Sequence, residues 1–314
     1  MGGITITSGA VNGTEDLLTL GLLSSSQAIA TTVAMSAPDT TNGIGTFTLN
    51  DGSSFNYYVV NSSKFHFMSN SSSGSLEIGQ AEAQTGGPFS VATLANGTSY
   101  VFGSSGDTTS NTVAIHSAGV FTTDGNGNIT AGNVDYVQDV TLNSDLPVSG
   151  GGYTLATDGR GQINLTLTGG TISPQIFWMV NGTRAYFLAD SAAAVEDGTF
   201  SLQQGAPFSA LSDQAAFVMD GFDIAYKDRV GAFAPTSGGF NWKQAANSFD
   251  VNLGGSATAI GTNGTAQVSS NGRVAVTVNG VTNSLVFYLS SPGTGFMVQE
   301  DADIGGAFSQ QASQ

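Results

Sequence analysis

The chain of 314 residues contains no cysteine, which excludes disulfides, thiolate metal sites and cysteine nucleophiles. It has little positive charge. Lys and Arg together number 7 against 23 Asp and Glu, for a formal net charge of −16. Such a chain cannot supply the counterion release on which nucleic-acid binding depends, so DNA and RNA are not expected partners. Anionic membrane surfaces are disfavoured for the same reason. Charged residues make up 10% of the chain, against roughly 25% in an ordinary soluble domain. No apolar run reaches the length needed to span a bilayer, so membrane insertion is not expected. The start, Met1-Gly2-Gly3-Ile4, lacks a basic region followed by an apolar core and does not read as a signal peptide. With so little Lys and so much Gly, Ser, Thr and Asn, the composition points to a secreted or cell-surface protein whose signal peptide is absent from this sequence.

Hydrophobic residues reach 40% and glycine numbers 43, enough for real cores cut by many turns. The chain repeats itself. Phe55–Met68, Gln175–Leu188 and Leu285–Val298 each read as an apolar strand, a polar turn and a second apolar strand, the pattern of a β-hairpin. Gly87-Pro88-Phe89-Ser90 matches Ala206-Pro207-Phe208-Ser209, and the tail Phe308-Ser309-Gln310-Gln311 matches the end of the preceding copy, Phe200–Gln204. Boundaries near 87 and 206 give three units, 1–87, 88–206 and 207–314. Asp-Gly and Asn-Gly turns, which tolerate positive φ, recur at Asp51-Gly52, Asp158-Gly159 and Asn271-Gly272. After them Ile163, Leu165 and Leu167, and Val274, Val276 and Val278, alternate with polar residues, as strands with one buried face do.

The expected fold is all-β: tandem antiparallel up-and-down β-barrel (or sandwich) repeats, with about eight strands per full copy. No helical periodicity competes; the best short helical candidate is Asp190–Asp197. Met1–Val11 aligns with Asp124–Val134, so the N-terminal copy is expected to be incomplete by two strands. Three explanations fit: the sequence is a piece of a longer repeat array, another chain donates the missing strands in a route to self-association by strand addition, or the first copy is a smaller open sheet packed on the second. Ile176–Val180 and Tyr57–Val60 are apolar without alternation, so both their faces must be covered, which favours a rigid stack over beads on linkers.

The run Gly119-Val120-Phe121-Thr122-Thr123-Asp124-Gly125-Asn126-Gly127-Asn128-Ile129-Thr130, followed by Gly152-Tyr153 through Asp158-Gly159-Arg160-Gly161, resembles the largely uncharacterised tandem β-repeat proteins exported by environmental bacteria. The resemblance covers most of the second and third copies and the later part of the first. Copy three departs from the first turn at Phe233–Gly239. The resemblance implies an exported β-rich protein and no particular activity.

The search for chemistry yields few candidates. No Gly-x-Ser-x-Gly elbow occurs. His66 aligns with Tyr186 and Phe296, an aromatic packing slot, and His116 has no nucleophile in its sequence context. Carboxylates able to serve a glycosidase are Asp220, Asp223, Glu300 and Asp301 in copy three, with Glu196 and Asp197 in copy two. Asp124, Asn126 and Asn128 are spaced like the start of a calcium loop, with Asp135 at the twelfth place but Ile129 where glycine is needed. A plain hairpin turn is the simpler reading, with calcium the only cofactor to consider. Trp178 matches Tyr58 and Tyr288, and Phe177 matches Tyr57 and Phe287; slots aromatic three times over read as core. Trp242, in the divergent part of copy three, is the best candidate for a carbohydrate or other ligand contact. The leading expectation is a non-enzymatic extracellular protein with a structural, adhesive or self-assembly role. The alternatives are a secreted glycosidase-like hydrolase and a small-ligand or carbohydrate binder.

Overall fold

A computed structural model describes the chain except residues 20–21, 71–76, 110–112, 139–140, 171, 212–213, 223–226, 237–238, 243–247, 254–255, 262, 279–284, 300–302 and 311–314. Within 220–228, 235–263, 278–284 and 300–304 at most the backbone is described.

The protein is all-β and antiparallel. The first unit holds β1 (Gly2–Thr7), β2 (Ala10–Thr19), β3 (Leu22–Val33), β4 (Ile44–Leu49), β5 (Ser54–Asn61), β6 (Lys64–Ser69) and β7 (Ile78–Glu82), paired in that order as an open seven-stranded sheet. The second holds β8 (Thr98–Thr108), β9 (Ala114–Thr123), β10 (Asn128–Gln138), β11 (Thr141–Leu155), β12 (Arg160–Leu167), β13 (Gln175–Asn181), β14 (Arg184–Ala189) and β15 (Ala194–Leu202). It closes into a barrel through β15 and β8, where Phe200 stands opposite Phe102. The third holds β16 (Ala215–Phe222), β17 (Lys227–Thr236), β18 (Gly239–Trp242), β19 (Ser248–Leu253), β20 (Ser256–Gly261), β21 (Asn263–Val268), β22 (Arg273–Val278), β23 (Leu285–Ser291), β24 (Thr294–Gln299) and β25 (Asp303–Gln310). Its strands form one ten-stranded sheet, and β16 also pairs with β17.

Register relates the units strand by strand. Phe308 opposite Phe217 repeats Phe200 opposite Phe102. Asp250 opposite Val230 repeats Asp135 opposite Ala118. Strands β18 and β19 together therefore do the work of β10, and β20 and β21 that of β11. In the first unit, β1–β7 correspond to β9–β15, because Glu15 opposite Gly2 repeats Val134 opposite Gly119. Among the described residues of the first unit, β8 and the first residues of β9 have no counterpart, one whole strand and not the two expected from aligning Met1 with Asp124.

A second correction concerns the turns. The glycine equivalent to Gly159 and Gly272 is Gly43, not Gly52. All three have positive φ (71°, 94° and 88°), and their carbonyls accept the backbone N–H of Val59, Met179 and Leu289 respectively. Asp51-Gly52 instead tightens the hairpin between β4 and β5. The Asp190–Asp197 segment is not helical; its end belongs to β15.

Alternate residues fill each interior. In the second unit these include Tyr100, Phe102, Phe121, Phe177, Phe187 and Phe200; Phe177 and Phe200 meet edge-on (5.4 Å between centroids) and Tyr100 stacks on Phe121, both arrangements that ring quadrupoles favour. Phe217, Phe233, Phe287 and Phe308 fill the interior of the third unit, with Phe233 stacked on Phe287 and both tilted against Phe308. The first has a smaller core of Phe47, Leu49, Phe55 and Tyr57.

Candidate functional site

The side chains that stand out lie between the barrels. Asp16 of β2 and Asp135 of β10 each sit at a β-bulge, between Glu15 and Leu17 and between Val134 and Tyr136. The extra residue of each bulge lies on the facing strand, where Ser25–Ser26 and Ser144–Asp145 stand opposite the single aspartate, and both carboxylates are fully buried. Each first receives a backbone N–H from a residue with left-handed φ on the facing strand: Ser26 to Asp16 (3.1 Å) and Asp145 to Asp135 (2.9 Å). Each then receives a guanidinium from the next repeat. Arg160 places Nε 2.9 Å and Nη2 2.8 Å from the two Asp16 oxygens. Arg273 places both nitrogens 2.7 Å from those of Asp135. Two parallel N–H bonds to one carboxylate are the strong, orienting form of the ion pair. An aromatic donor completes each clamp: Trp178 Nε1 to Asp16 (2.8 Å) and Tyr288 hydroxyl to Asp135 (2.5 Å). Burial acts to raise the Asp16 pKa, but the bonds from Arg160 and Trp178 outweigh it and hold the carboxyl below its ordinary range. Burial and then the neighbouring Asp135 charge push the Tyr288 hydroxyl well up.

Packing around the clamps divides the aromatic pairs seen in the sequence. Phe177, Phe287 and Tyr57 are core. Their neighbours Trp178 and Tyr288 are also buried, but by facing the preceding repeat rather than their own interior. Tyr288, Val286 and Val298 pack with Val101, Ala118, Val120 and Val137 of the second barrel. Phe296 lies on Gly103, where a Cβ would come within 2.4 Å of its ring. Gly305 likewise admits His116, whose Nδ1 is 3.0 Å from Ser105 Oγ. At the first junction Gln80 donates to the Tyr186 hydroxyl (2.7 Å) and Arg184 pairs with Glu82 (2.7 Å).

The covalent connections repeat as well. Gln84 Nε2 donates to the carbonyls of Asp158 and Met179 (2.9 and 2.7 Å), and Gln203 Nε2 to those of Asn271 and Leu289 (2.7 and 2.8 Å). A positive-φ glycine, a cis X-Pro bond and a buried phenylalanine follow each glutamine: Gly86, Pro88 and Phe89, then Gly205, Pro207 and Phe208. The backbone N–H groups of Thr85 and Phe89 are likewise bonded to carbonyls of the second barrel, and those of Gln204 and Phe208 to carbonyls of the third.

Of the residues singled out in the sequence, Asp223, Glu300 and Asp301 lie outside the described residues. For Asp220 and Trp242 only the backbone is described: Asp220 in β16 opposite Gly305, Trp242 in β18 opposite Phe233. The Asp124 carboxylate accepts the backbone N–H of Asn126 (2.7 Å) and Asn128 (3.0 Å) and the side-chain amide of Asn128 (2.7 Å), which close the turn and lower its pKa. Asp135, twelfth in that spacing, instead faces Arg273. Among the described residues no cluster of three or more His, Asp and Glu could hold a metal ion, and no helix is long and apolar enough to cross a membrane. Glu196 is buried inside the second barrel, accepting from Ser104 and from Ser117 (2.9 Å); desolvation raises its pKa despite both bonds.

Sequence reasoning missed the clamps. The available signal was spacing: Asp16 and Asp135 are separated by about 119 residues, as are Pro88 and Pro207. The sequence matches no protein-family model and no curated protein.

Proposed function

We propose that the chain is a non-enzymatic, extracellular or cell-surface structural protein, in which stacked barrels form a stiff assembly unit. The observation that carries this reading is the recurrence of one Asp–Arg–aromatic clamp at both junctions. A buried ion pair is an expensive way to gain stability, and its attested use is to fix register and orientation between packed elements. Two such pairs in equivalent places support a molecule whose inter-repeat geometry matters. The glutamine latches support the same reading. A surface low in charge and acidic in balance suits solubility outside the cell. The test is small-angle X-ray scattering of the full chain. The wild type should scatter as a single elongated body, and the double variant Asp16→Ala, Asp135→Ala should scatter as barrels that move relative to one another. Scattering from freely jointed barrels in the wild type would reject the proposal.

A further inference from the structure

The two outer walls of the stack are counterparts of walls that meet inside it. Tyr58 occupies the place of Trp178 and Tyr288. Docking leaves those two 5% and 0% exposed, whereas Tyr58 is 38% exposed. Met68, equivalent to Leu188 and Val298, is open in the same way, and with Tyr58, His66 and Ile78 it lines a shallow apolar depression across β5–β7. At the other end, Val230 stands in register where Ala118 is buried, yet is 56% exposed. Val218, in the place of Gly103, is 58% exposed. Contiguous apolar surface of this kind marks an interaction site.

We propose that a second copy of this chain docks head to tail, its β5–β7 wall lying on the β16–β17 wall of the first; this rests on the assembly reading above and names the partner. The shapes correspond. Inside the stack a large ring, Phe296, lies on Gly103; between copies a smaller ring, His66, meets the larger Val218, which conserves volume. Tyr58 brings a hydroxyl as Tyr288 does, and Asp250 holds the register position of Asp135. Two components differ: β19 and β20 pair at Asp250 without the register shift that faces Asp135, and the arginine is missing. Register opposite Tyr58, Trp178 and Tyr288 gives Ile44, Arg160 and Arg273, so the guanidinium of the internal clamp is replaced by an apolar side chain. The contact between copies is thus a weaker version of the internal junction. Because the two walls are different surfaces, the contact is heterologous and propagates as an open filament rather than closing as a dimer.

Sedimentation velocity of the full chain over a concentration series tests this. The wild type should form oligomers that lengthen with concentration without stopping at two. Ile44→Arg should lower the dissociation constant by about tenfold or more. Tyr58→Glu and Val230→Glu, both at exposed sites and checked for unchanged melting, should each be monomeric alone. Mixed, they should give a dimer that grows no further, because one intact pair of walls remains. Monomers at every concentration for both wild type and Ile44→Arg would overturn the proposal, as would oligomers that survive Tyr58→Glu and Val230→Glu. A rigid but strictly monomeric chain would overturn this inference alone and leave the reading of the internal junctions standing.

Discussion

At the scale of single residues, the buried carboxylates divide by their company. Asp135 has a bidentate arginine, a tyrosine hydroxyl and a backbone N–H. Removing it takes the bidentate partner from Arg273 and leaves that guanidinium in a buried wall with Ser144 and the more distant, exposed Asp145 (3.5 Å), so Asp135→Ala should destabilise the third barrel by about 3–5 kcal/mol in denaturant unfolding. The paired change Asp135→Leu, Arg273→Met should recover most of that loss, since no charge is then left uncompensated. Glu196 has only two serine hydroxyls, and its raised folded pKa sets the sign of its pH dependence. Its contribution is fully present below its ordinary value of 4.5 and is lost as pH rises through the higher folded value. Glu196→Gln should therefore leave the unfolding midpoint nearly unchanged at acid pH and raise it at alkaline pH; an equal change at both would contradict the assignment. Asp16 runs the other way. Its depressed folded pKa contributes stability above its ordinary 3.8 that disappears as pH falls through the folded value.

At the scale of the element, turns and latches decide how strands become barrels. Gly272 combines φ of 88° with a Cβ site 2.6 Å from Gln203 Nε2, whereas Gly52 has φ of 92° with nothing within 4 Å. Alanine at Gly52 should cost the backbone term of about 1–2 kcal/mol. Alanine at Gly272 should cost measurably more in parallel melts, because it also displaces the latch. Equal costs would mean that Gln203 has room to move aside at no expense. The hairpin signal in the sequence located these turns but not their pairing. Asp51-Gly52 and Asp158-Gly159 look alike as dipeptides, yet Gly159 sends its carbonyl to a neighbouring strand as Gly43 does. Local residue type encodes willingness to adopt positive φ; which strand lies alongside is set by long-range pairing. The alanine-rich segment before β15 shows a related effect: closure of the barrel onto β8 overrides its weak helical preference.

At the scale of the whole molecule, β25 packs against β8 and β9 while β23 and β24 cover the same wall, so neighbouring barrels share a buried surface. Unfolding of the second and third barrels should accordingly be coupled in calorimetry, and Asp135→Ala should split a joint transition into two. A single unchanged transition in the variant would show that the clamp does not carry the coupling. The requirement that Ile176–Val180 be covered on both sides is met by this stacking, with all five residues buried. In its counterpart, Tyr58 is uncovered in a single chain, on the wall proposed above to take a further copy.

Composition, period-two alternation and repeated turn dipeptides determined the all-β class and the tandem organisation, because they report local backbone preference and the burial of one strand face. They could not tell an outward aromatic that seals a junction from an inward one that fills a barrel, since Trp178 and Phe177 are adjacent and equally apolar in the sequence. Nor could they pair Asp16 with Arg160 or Asp135 with Arg273. A bulge, a left-handed residue on the opposite strand and the wall of the next barrel converge on each carboxylate, and only the folded stack brings those distant parts together.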